Sequence, residues 1–305
     1  MLIRLLLLLT SSLSIIALPV AAQTPAGAAS PARAAVSFAI VKTSQVRVRE
    51  DLLFAGGSAS REVDSNFSAF VIRHGDELLL LDTGLGSQVA TQYSQDMPLW
   101  SRPFFRYDDP VRPARDQLAA AGLPPIRRIL LSHGHWDHAS GIADFPGAEV
   151  GLPTQELAFV RSPQGGVGGA WASQVADKPV RWHALQFQPQ PYEGFDSHLD
   201  LFGDGRVVLV PMFGHTPGSM GLFLSVSSGR RFFFVGDVVW SAAALAQGQP
   251  KFWAARALVD GDTDATAATI AKIRAVITRD PAIVVVPAHD GAVQGRLGYL
   301  PKWVE

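Results

Sequence analysis

Four potential metal ligands lie in the short segment that follows one apolar run of the chain. Residues 128–132 (Arg-Ile-Leu-Leu-Ser) predict a buried strand, and residues 133–138 (His-Gly-His-Trp-Asp-His) follow it directly. His133 and His135 are two residues apart on an extended loop, so both can face one ion, whereas Asp137 and His138 follow the bend and face a second position. Imidazole nitrogen and carboxylate oxygen suit Zn²⁺ and other borderline divalent ions. The segment therefore predicts a metal site at the end of a strand.

Other candidate site residues also follow short apolar runs. They occur in an Asp-Thr-Gly turn, a Gly-His-Thr-Pro-Gly-Ser turn, a Gly-Asp pair and a Pro-Ala-His-Asp segment, and they are Asp82, His215, Asp237 and His289. Ligands at strand ends lie along one rim of packed sheets, where loops can form a pocket. The remaining histidines lack such context, and we predict surface or structural roles for His74, His183 and His198.

The His-x-His-x-Asp-His segment, together with these positions, resembles the signature of the metallo-β-lactamase superfamily of hydrolases. The resemblance implies the fold class α/β (α+β), as a four-layer αββα sandwich, whereas periodicity alone predicts only a mixture of helices and strands. It also implies two ligand sets that share one aspartate: His133, His135 and His215 for the first metal, Asp137, His138 and His289 for the second, and Asp237 as the bridge. Asp82 matches the aspartate that supports the metal loop from behind the ligands.

The resemblance implies two Zn²⁺ ions as cofactors, with Fe or Mn as alternatives for the native metal. The chain has no cysteine, so any metal site is built from His, Asp and Glu. A bound ion lowers the pKa of its water to about 7, which supplies a metal-bound hydroxide, and the second ion polarises the substrate oxygen. Asp137 or water then protonates the leaving group, and the chain offers no Ser elbow or Cys as a nucleophile.

Residues 237 and 240 bear on the substrate. Secreted β-lactamases with an all-His/Asp site typically have serine at the bridging position, so Asp237 disfavours β-lactam hydrolysis. Quorum-signal lactonases resemble residues 66–305 most, but they have a tyrosine three residues after the bridging aspartate, where this chain has Trp240. An indole N–H can donate one hydrogen bond but cannot act as an acid. Trp240 is therefore a candidate catalytic residue beside Asp137, and lactone specificity is left open.

Several aromatic residues could form an apolar pocket beside the metal site. The candidates are the stretch 100–107 and four tryptophans, Trp136, Trp171, Trp240 and Trp253, each of which could instead belong to the core. The stretch 100–107 has no clear periodicity, so it is predicted either as core or as a loop over the site. The expected partner is a small-molecule substrate with an apolar acyl or aryl group.

The predicted function is a dinuclear metal-dependent hydrolase of an ester or lactone, similar to the N-acyl homoserine lactonases. Three alternatives from the same resemblance are a β-lactamase of the all-His/Asp secreted type, an organophosphate triesterase, and a mononuclear iron dioxygenase of the persulfide type. A metal-holding binding protein with little catalysis is a fourth alternative. Metal content and a substrate panel would separate these possibilities.

The N-terminal residues predict export. Residues 1–22 combine Arg4, an apolar core and Val-Ala-Ala, which is typical of a signal peptide cleaved after Ala22. The apolar core is interrupted and short for a membrane span, so no stable membrane insertion is expected. Residues 23–36 predict an Ala/Pro-rich tether and residues 37–305 the catalytic domain, located in the periplasm or secreted. The formal net charge of −1, without a long basic run, argues against nucleic acid as a partner.

Overall fold

The structure, a computed structural model, describes residues 34–176 and 179–305. Two β-sheets pack face to face, and helices cover the outer face of each sheet. The chain therefore has the predicted mixed α/β architecture in four layers, αββα. The fold prediction is confirmed.

The first sheet contains six strands in the order in which they occur in the chain. They are β1 (Val36–Arg49), β2 (Glu62–His74), β3 (Glu77–Leu81), β4 (Arg128–Leu130), β5 (Glu149–Pro153) and β6 (Arg181–Leu185). The strands β1, β2 and β3 are paired antiparallel, whereas β3 to β6 are paired parallel. The β2–β3 hairpin turns at Gly75 and Asp76.

The second sheet contains five strands in the order β11-β10-β9-β8-β7. Their bounds are β7 (Leu199–Asp200), β8 (Val207–Pro211), β9 (Met220–Ser225), β10 (Arg231–Phe234) and β11 (Val284–Val286). Because β9 is antiparallel to both β8 and β10, and β11 is parallel to β10, the strands β8, β10 and β11 all run in one direction. Their carboxyl ends therefore meet at the same edge of this sheet.

Nine α-helices lie in the described residues. They are α1 (Val89–Asp96), α2 (Ala114–Ala120), α3 (Trp136–Ala139), α4 (Thr154–Val160), α5 (Ala172–Val175), α6 (Ala242–Gln247), α7 (Trp253–Val259), α8 (Thr263–Arg279) and α9 (Gly291–Leu297). The longest, α8, begins after Asp262, whose carboxylate accepts hydrogen bonds from the first free backbone N–H groups of the helix. None of these helices is long and apolar enough to cross a membrane.

Strand alternation divides the apolar side chains between three layers of core. Along β1, Phe38 and Ile40 face the second sheet, whereas Ala39 and Val41 face the helices on the other side, as the period of two requires. Phe38 packs edge-on against Phe234 of β10, with ring centroids 5.2 Å apart. On the far side of the second sheet, α8 inserts Ile273 and Val276. The burial of each large apolar side chain of this kind, such as Phe38 or Ile273, stabilises the folded state by about 1.5–3 kcal/mol, because the side chain is removed from water.

The start of the folded domain lies one residue before the predicted boundary. Strand β1 begins at Val36, which is fully buried, so the last residue of the predicted tether belongs to the first sheet rather than to a flexible segment. The predicted signal peptide, residues 1–22, and residues 23–33 of the tether lie outside the described residues.

Candidate metal centre

The predicted ligands meet at one rim because the strands that precede them end there. Asp82 follows β3, and the segment 133–138 follows β4, which is parallel to β3. His215, Asp237 and His289 follow β8, β10 and β11, which share one direction in the second sheet. The two sheets thus each contribute ligands from the same end of the sandwich. This arrangement is what the strand-end pattern in the sequence predicted.

The first group consists of His133, His135 and His215, all buried. One ligand nitrogen from each lies within 4.8 Å of the others, and the Nε2 atoms of His133 and His215 are 3.2 Å apart. Two nitrogens about 2.1 Å from one tetrahedral ion would be about 3.4 Å apart. The spacing therefore suits a single ion between the three imidazoles.

The second group consists of Asp137, His138, Asp237 and His289, also buried. Nε2 of His289 lies 3.2 Å from Oδ2 of Asp137 and 3.1 Å from Oδ2 of Asp237. Oδ1 of Asp237 lies 3.3 Å from Nε2 of His138, and its Oδ2 lies 3.8 Å from Nε2 of His215 in the first group. The carboxylate of Asp237 therefore stands between the two groups, in the position predicted for the bridge.

Three histidines have their Nδ1 atoms fixed by partners outside the two groups. Nδ1 of His138 lies 2.9 Å from Oδ2 of Asp82, Nδ1 of His289 lies 2.7 Å from the carbonyl oxygen of Asn66, and Nδ1 of His215 lies 2.8 Å from Oδ1 of Asp260. In a neutral imidazole, an acceptor at Nδ1 keeps the proton on that nitrogen and leaves the lone pair of Nε2 available to a metal. The neutral forms of all three rings therefore have the tautomer that a metal needs.

Asp82 is positioned by an unusual backbone conformation. Its φ angle is 57°, in the left-handed region that non-glycine residues rarely adopt. The carboxylate accepts hydrogen bonds from the backbone N–H of Ser132 at 2.7 Å and from the Ser132 hydroxyl at 2.8 Å, in addition to its contact with His138. Asp82 thus connects the end of β3 to the loop after β4.

Sequence reasoning missed the charged pair behind His215. Lys251 and Asp260 form an ion pair in which both side chains are 1% exposed, and Asp260 also accepts the hydrogen bond from His215. The ammonium of Lys251 lies 5.6 Å from the centre of the Trp240 ring. Neither residue belongs to a local motif, so only their meeting in space indicates the pair.

Sequence reasoning also missed Glu156, which is fully buried on the first turn of α4. Its carboxylate accepts hydrogen bonds from Gly134 of the metal loop and from Thr216 and Gly218 of the turn that holds His215. An acid in the first turn of a helix usually faces solvent as part of the helix cap, so the sequence alone does not single out Glu156.

The carboxylates and imidazoles of the second group shift one another's pKa. Burial alone would lower the pKa of His289, but Asp237 and Asp137 raise it to about 10. Burial likewise opposes protonation of His138, yet the carboxylates of Asp82, Asp237 and Asp137 hold its pKa well above the usual value. The carboxyl group of Asp237 has its pKa well below the usual range, against the effect of burial, because of His289 and His138. Without an ion, these histidines act as the cations of the group.

The histidines of the first group have lowered pKa values, in contrast to those of the second group. Burial lowers the pKa of His135 to about 4, and burial with the neighbouring imidazoles of His138, His135 and His215 lowers that of His133 further below the usual value. Burial and the ammonium of Lys251 lower the pKa of His215 as well. These three imidazoles are therefore neutral at physiological pH, the form in which histidine binds a metal.

Three of the buried atoms without a hydrogen bond belong to the two ligand groups. In the described part of the chain, seven buried side-chain nitrogen or oxygen atoms make no hydrogen bond, and these include Nε2 of His135, Nε2 of His138 and Oδ1 of Asp237. The last two lie 3.3 Å apart without hydrogen-bond geometry. An unpaired buried polar atom costs about 1–3 kcal/mol, so such atoms require an explanation. These three atoms belong to the two groups and face the space between the ligands. Ions at the two positions would satisfy all three.

A cavity of about 510 Å³ opens onto the two groups. His135, Asp137 and Asp237 contribute to its floor, and its walls are mostly apolar: Val46, Phe67, Phe105, Trp136, Trp240, Leu258 and Val259. Its volume is in the range of small-molecule sites. The site can therefore hold a ligand that combines a polar group, placed over the ligand groups, with an apolar part.

The aromatic candidates divide between cavity and core. Trp136 and Trp240 line the cavity, whereas Trp171 is fully buried and stacks on Trp136 with ring centroids 5.2 Å apart. Trp253 is 70% exposed at the start of α7. In the stretch 100–107, the exposed Phe104 and other residues of the loop border the cavity, so this stretch is a loop at its entrance rather than core.

The other histidines lie away from the two groups. His74 stacks on Phe202 and contacts Asp204, and His198 lies 2.8 Å from the carbonyl oxygen of Gln190. His183 lies on β6 beside Glu149. Surface or structural roles were predicted for all three, and their positions agree with that.

Known proteins share this fold and sequence pattern. N-acyl homoserine lactonase AttM of Rhizobium radiobacter is 25% identical over 256 residues, which cover 81% of this chain and 90% of that protein. A solved N-acyl homoserine lactone hydrolase with the product N-hexanoyl-L-homoserine at its catalytic metal centre superimposes with a TM-score of 0.66, at 12% identity, over 88% of this chain and 99% of that chain. AidC, described as a dizinc quorum-quenching lactonase, superimposes with a TM-score of 0.51, at 15% identity, over 85% and 88% of the two chains.

The match to a family extends over most of the chain. Residues 66–289 match the family model described as the metallo-beta-lactamase superfamily, and this span includes all seven residues of the two groups. The resemblance inferred from the His-x-His-x-Asp-His segment is therefore confirmed. The chain belongs to the metallo-beta-lactamase superfamily.

Proposed function

We propose that this metallohydrolase opens a lactone, or cleaves a similar ester, that carries an apolar acyl group, and that it does so with two metal ions, most simply Zn²⁺. The observation that carries the proposal is the position of Asp237 between two buried ligand groups at the floor of a mostly apolar cavity. The similarity to lactonases over most of the chain supports the choice of substrate class.

In this proposal His133, His135 and His215 hold one ion, and Asp137, His138 and His289 hold the other, with Asp237 shared between them. When bound, the two ions would activate water as the nucleophile and polarise the carbonyl group under attack. Asp82, Asn66 and Asp260 keep the histidine rings in the required tautomer through Nδ1. Since three rings are fixed in advance, little reorganisation is needed during the reaction.

The remaining roles belong to the cavity. Asp137 lies at its floor, and we propose that its carboxylate accepts a proton from the attacking water and delivers that proton to the oxygen that leaves the carbonyl carbon. The apolar wall, which includes Phe105, Trp136 and Leu258, binds the acyl group and excludes water from it. Trp240 is proposed as part of this wall next to the reacting group.

The test is to measure metal content and turnover on one sample of purified protein. Bound zinc is quantified per chain, and the same sample is assayed with a long-chain lactone, an aryl ester, a phosphotriester and a cephalosporin. Two zinc per chain with lactone or ester cleavage is the expected result. Cleavage of only the cephalosporin or only the phosphotriester would replace the proposed substrate, and one iron per chain without hydrolysis would replace the reaction class with that of the dioxygenases.

A matched variant controls for contaminating activity. His135→Ala removes one ligand on a loop outside the strands, so we expect hydrolysis to be abolished while the circular dichroism spectrum stays unchanged. Turnover close to that of the wild type would contradict the assignment of the site.

As a separate proposal, the protein acts in the periplasm or outside the cell after cleavage at Ala22. Cell fractionation with N-terminal sequencing tests this, and an intact N-terminus in the cytoplasm would contradict it.

A further inference from the structure

The carboxylate of Glu156 connects the two loops that carry the first group of histidines. Oε1 accepts a hydrogen bond from the backbone N–H of Gly134 at 2.7 Å. Oε2 accepts one from the backbone N–H of Gly218 at 2.8 Å and one from the hydroxyl of Thr216 at 2.7 Å. No Lys or Arg in the described part of the chain forms an ion pair with this buried acid. Three hydrogen-bond donors, rather than a cation, therefore compensate the buried carboxylate of Glu156.

The donors come from different sheets. Gly134 lies between His133 and His135 in the loop after β4 of the first sheet, whereas Thr216 and Gly218 lie in the turn after β8 of the second sheet, beside His215. The first group is thus assembled across the interface between the sheets. Glu156 binds each side of this interface with a separate oxygen.

The two glycines show how closely both loops approach α4. A Cβ atom at position 218 would lie 2.2 Å from the backbone nitrogen of Glu156, and one at position 134 would lie 2.3 Å from Cγ1 of Val160. Carbon atoms do not approach these distances, so only glycine permits the contact. The backbones of both loops are therefore packed directly on the helix that carries Glu156.

The second group depends on other partners. His138 is oriented by Asp82 and His289 by the carbonyl oxygen of Asn66, and neither of these partners contacts Glu156 in the hydrogen bonds described above. A change at Glu156 consequently affects the separation of His133 and His135 from His215. It leaves the partners of the second group in place.

We propose that Glu156 is a positioning residue that sets the distance between the His133–His135 loop and His215, and thereby the affinity of the first group for a metal ion. This inference rests on the proposed function only in that the first group binds a metal. Outer partners of metal ligands typically change metal affinity by about 10- to 100-fold when they are substituted. We expect an effect of that size, confined to the first group.

The test uses Glu156→Gln, which preserves shape. The amide offers one oxygen and one NH₂ group, so an N–H donor would face either Gly134 or the Gly218–Thr216 pair. Zinc affinity is measured by competition with a chromophoric chelator in two backgrounds: His289→Ala, which retains the whole first group, and His135→Ala, which retains the whole second group. We expect Glu156→Gln to weaken zinc binding about 10- to 100-fold in the first background and by less than about twofold in the second.

Two further variants keep the test decisive. Glu149→Gln changes a partly exposed acid on β5 that contacts neither loop, and it should leave both affinities unchanged. Thr216→Val removes one of the three donors, and it should give a smaller loss in the same background, even if Glu156→Gln fails to fold. Equal losses in both backgrounds, or none in either, would overturn the inference. Zinc binding is measured without substrate, so the measured role of Glu156 would stand even if the protein failed to hydrolyse lactones or esters. Wild-type protein that binds no zinc would contradict both the proposed function and the proposed role of Glu156.

Discussion

The indole Nε1 of Trp240 donates a hydrogen bond to Oδ2 of Asp237 at 2.8 Å. The donor that could have met a substrate carbonyl is therefore directed at the carboxylate between the two ligand groups. At the same time the ring lines the cavity, and the ammonium of Lys251 lies over the ring, 5.6 Å from its centre. In this protein, residue 240 thus supports the predicted bridge and forms part of the apolar wall.

Substitution of Trp240 should separate these two roles. Trp240→Phe keeps an aromatic wall but removes the donor to Asp237, and hydrogen bonds to charged groups contribute about 1.5–3 kcal/mol. We expect kcat/KM for a long-chain lactone to fall by at least about tenfold. Trp240→Tyr restores a donor and should exceed Trp240→Phe in lactone turnover. Equal activity of the wild type and Trp240→Phe would show that the hydrogen bond is irrelevant to the reaction.

Asp82→Asn should weaken the second metal position. Asparagine tolerates the left-handed backbone at this position, so the turn is kept while the charge opposite His138 is lost. We expect zinc affinity to fall by about 10- to 100-fold, as for other outer partners of metal ligands. Chelator competition measures this, and wild-type affinity in Asp82→Asn would rule out the supporting role.

Metal-free protein should lose stability at high pH. A histidine whose folded-state pKa lies above the unfolded value of about 6.5 contributes stability that is complete below that value and lost as the pH rises through the folded-state pKa. For His289, held by Asp237 and Asp137, this loss begins above about pH 6.5 and is complete once the pH has passed the folded-state pKa of about 10. Urea unfolding of chelator-treated protein between pH 7 and 11 should show the decline. Zinc-loaded protein is the control, because its ligand nitrogens carry no proton, and a parallel decline in both forms would contradict the prediction.

Lys251→Met should destabilise the fold strongly. The substitution leaves the carboxylate of Asp260 buried without its cation, and breaking a buried pair in this way costs about 3–5 kcal/mol. The double variant Lys251→Met/Asp260→Asn should recover much of that loss. Lys272→Met, which breaks an exposed pair with Asp196, should change the free energy of unfolding by less than about 1 kcal/mol. Denaturant unfolding compares the three, and similar small effects for Lys251 and Lys272 would refute the prediction.

The sequence predicted the ligand groups better than their surroundings. His133, His135, Asp137 and His138 form a local pattern, and His215, Asp237 and His289 each follow a short apolar run, so strand direction suffices to bring them to one rim. The aromatic residues were harder to assign, because a large apolar side chain suits a core and a cavity wall equally. Trp171 proved to be core, whereas Trp136 lines the cavity.

The sequence by itself determined the superfamily, the positions of the ligands after short apolar runs, and the chemistry of the ligand atoms, because these depend on residue type and on local pattern along the chain. Only the tertiary structure decided which groups stand behind the ligands. Glu156, Lys251 and Asp260 have no local pattern, and each would read as a solvated charge on a surface. Their roles arise because folding removes them from water, and a buried charge must then find partners wherever the packed chain provides them.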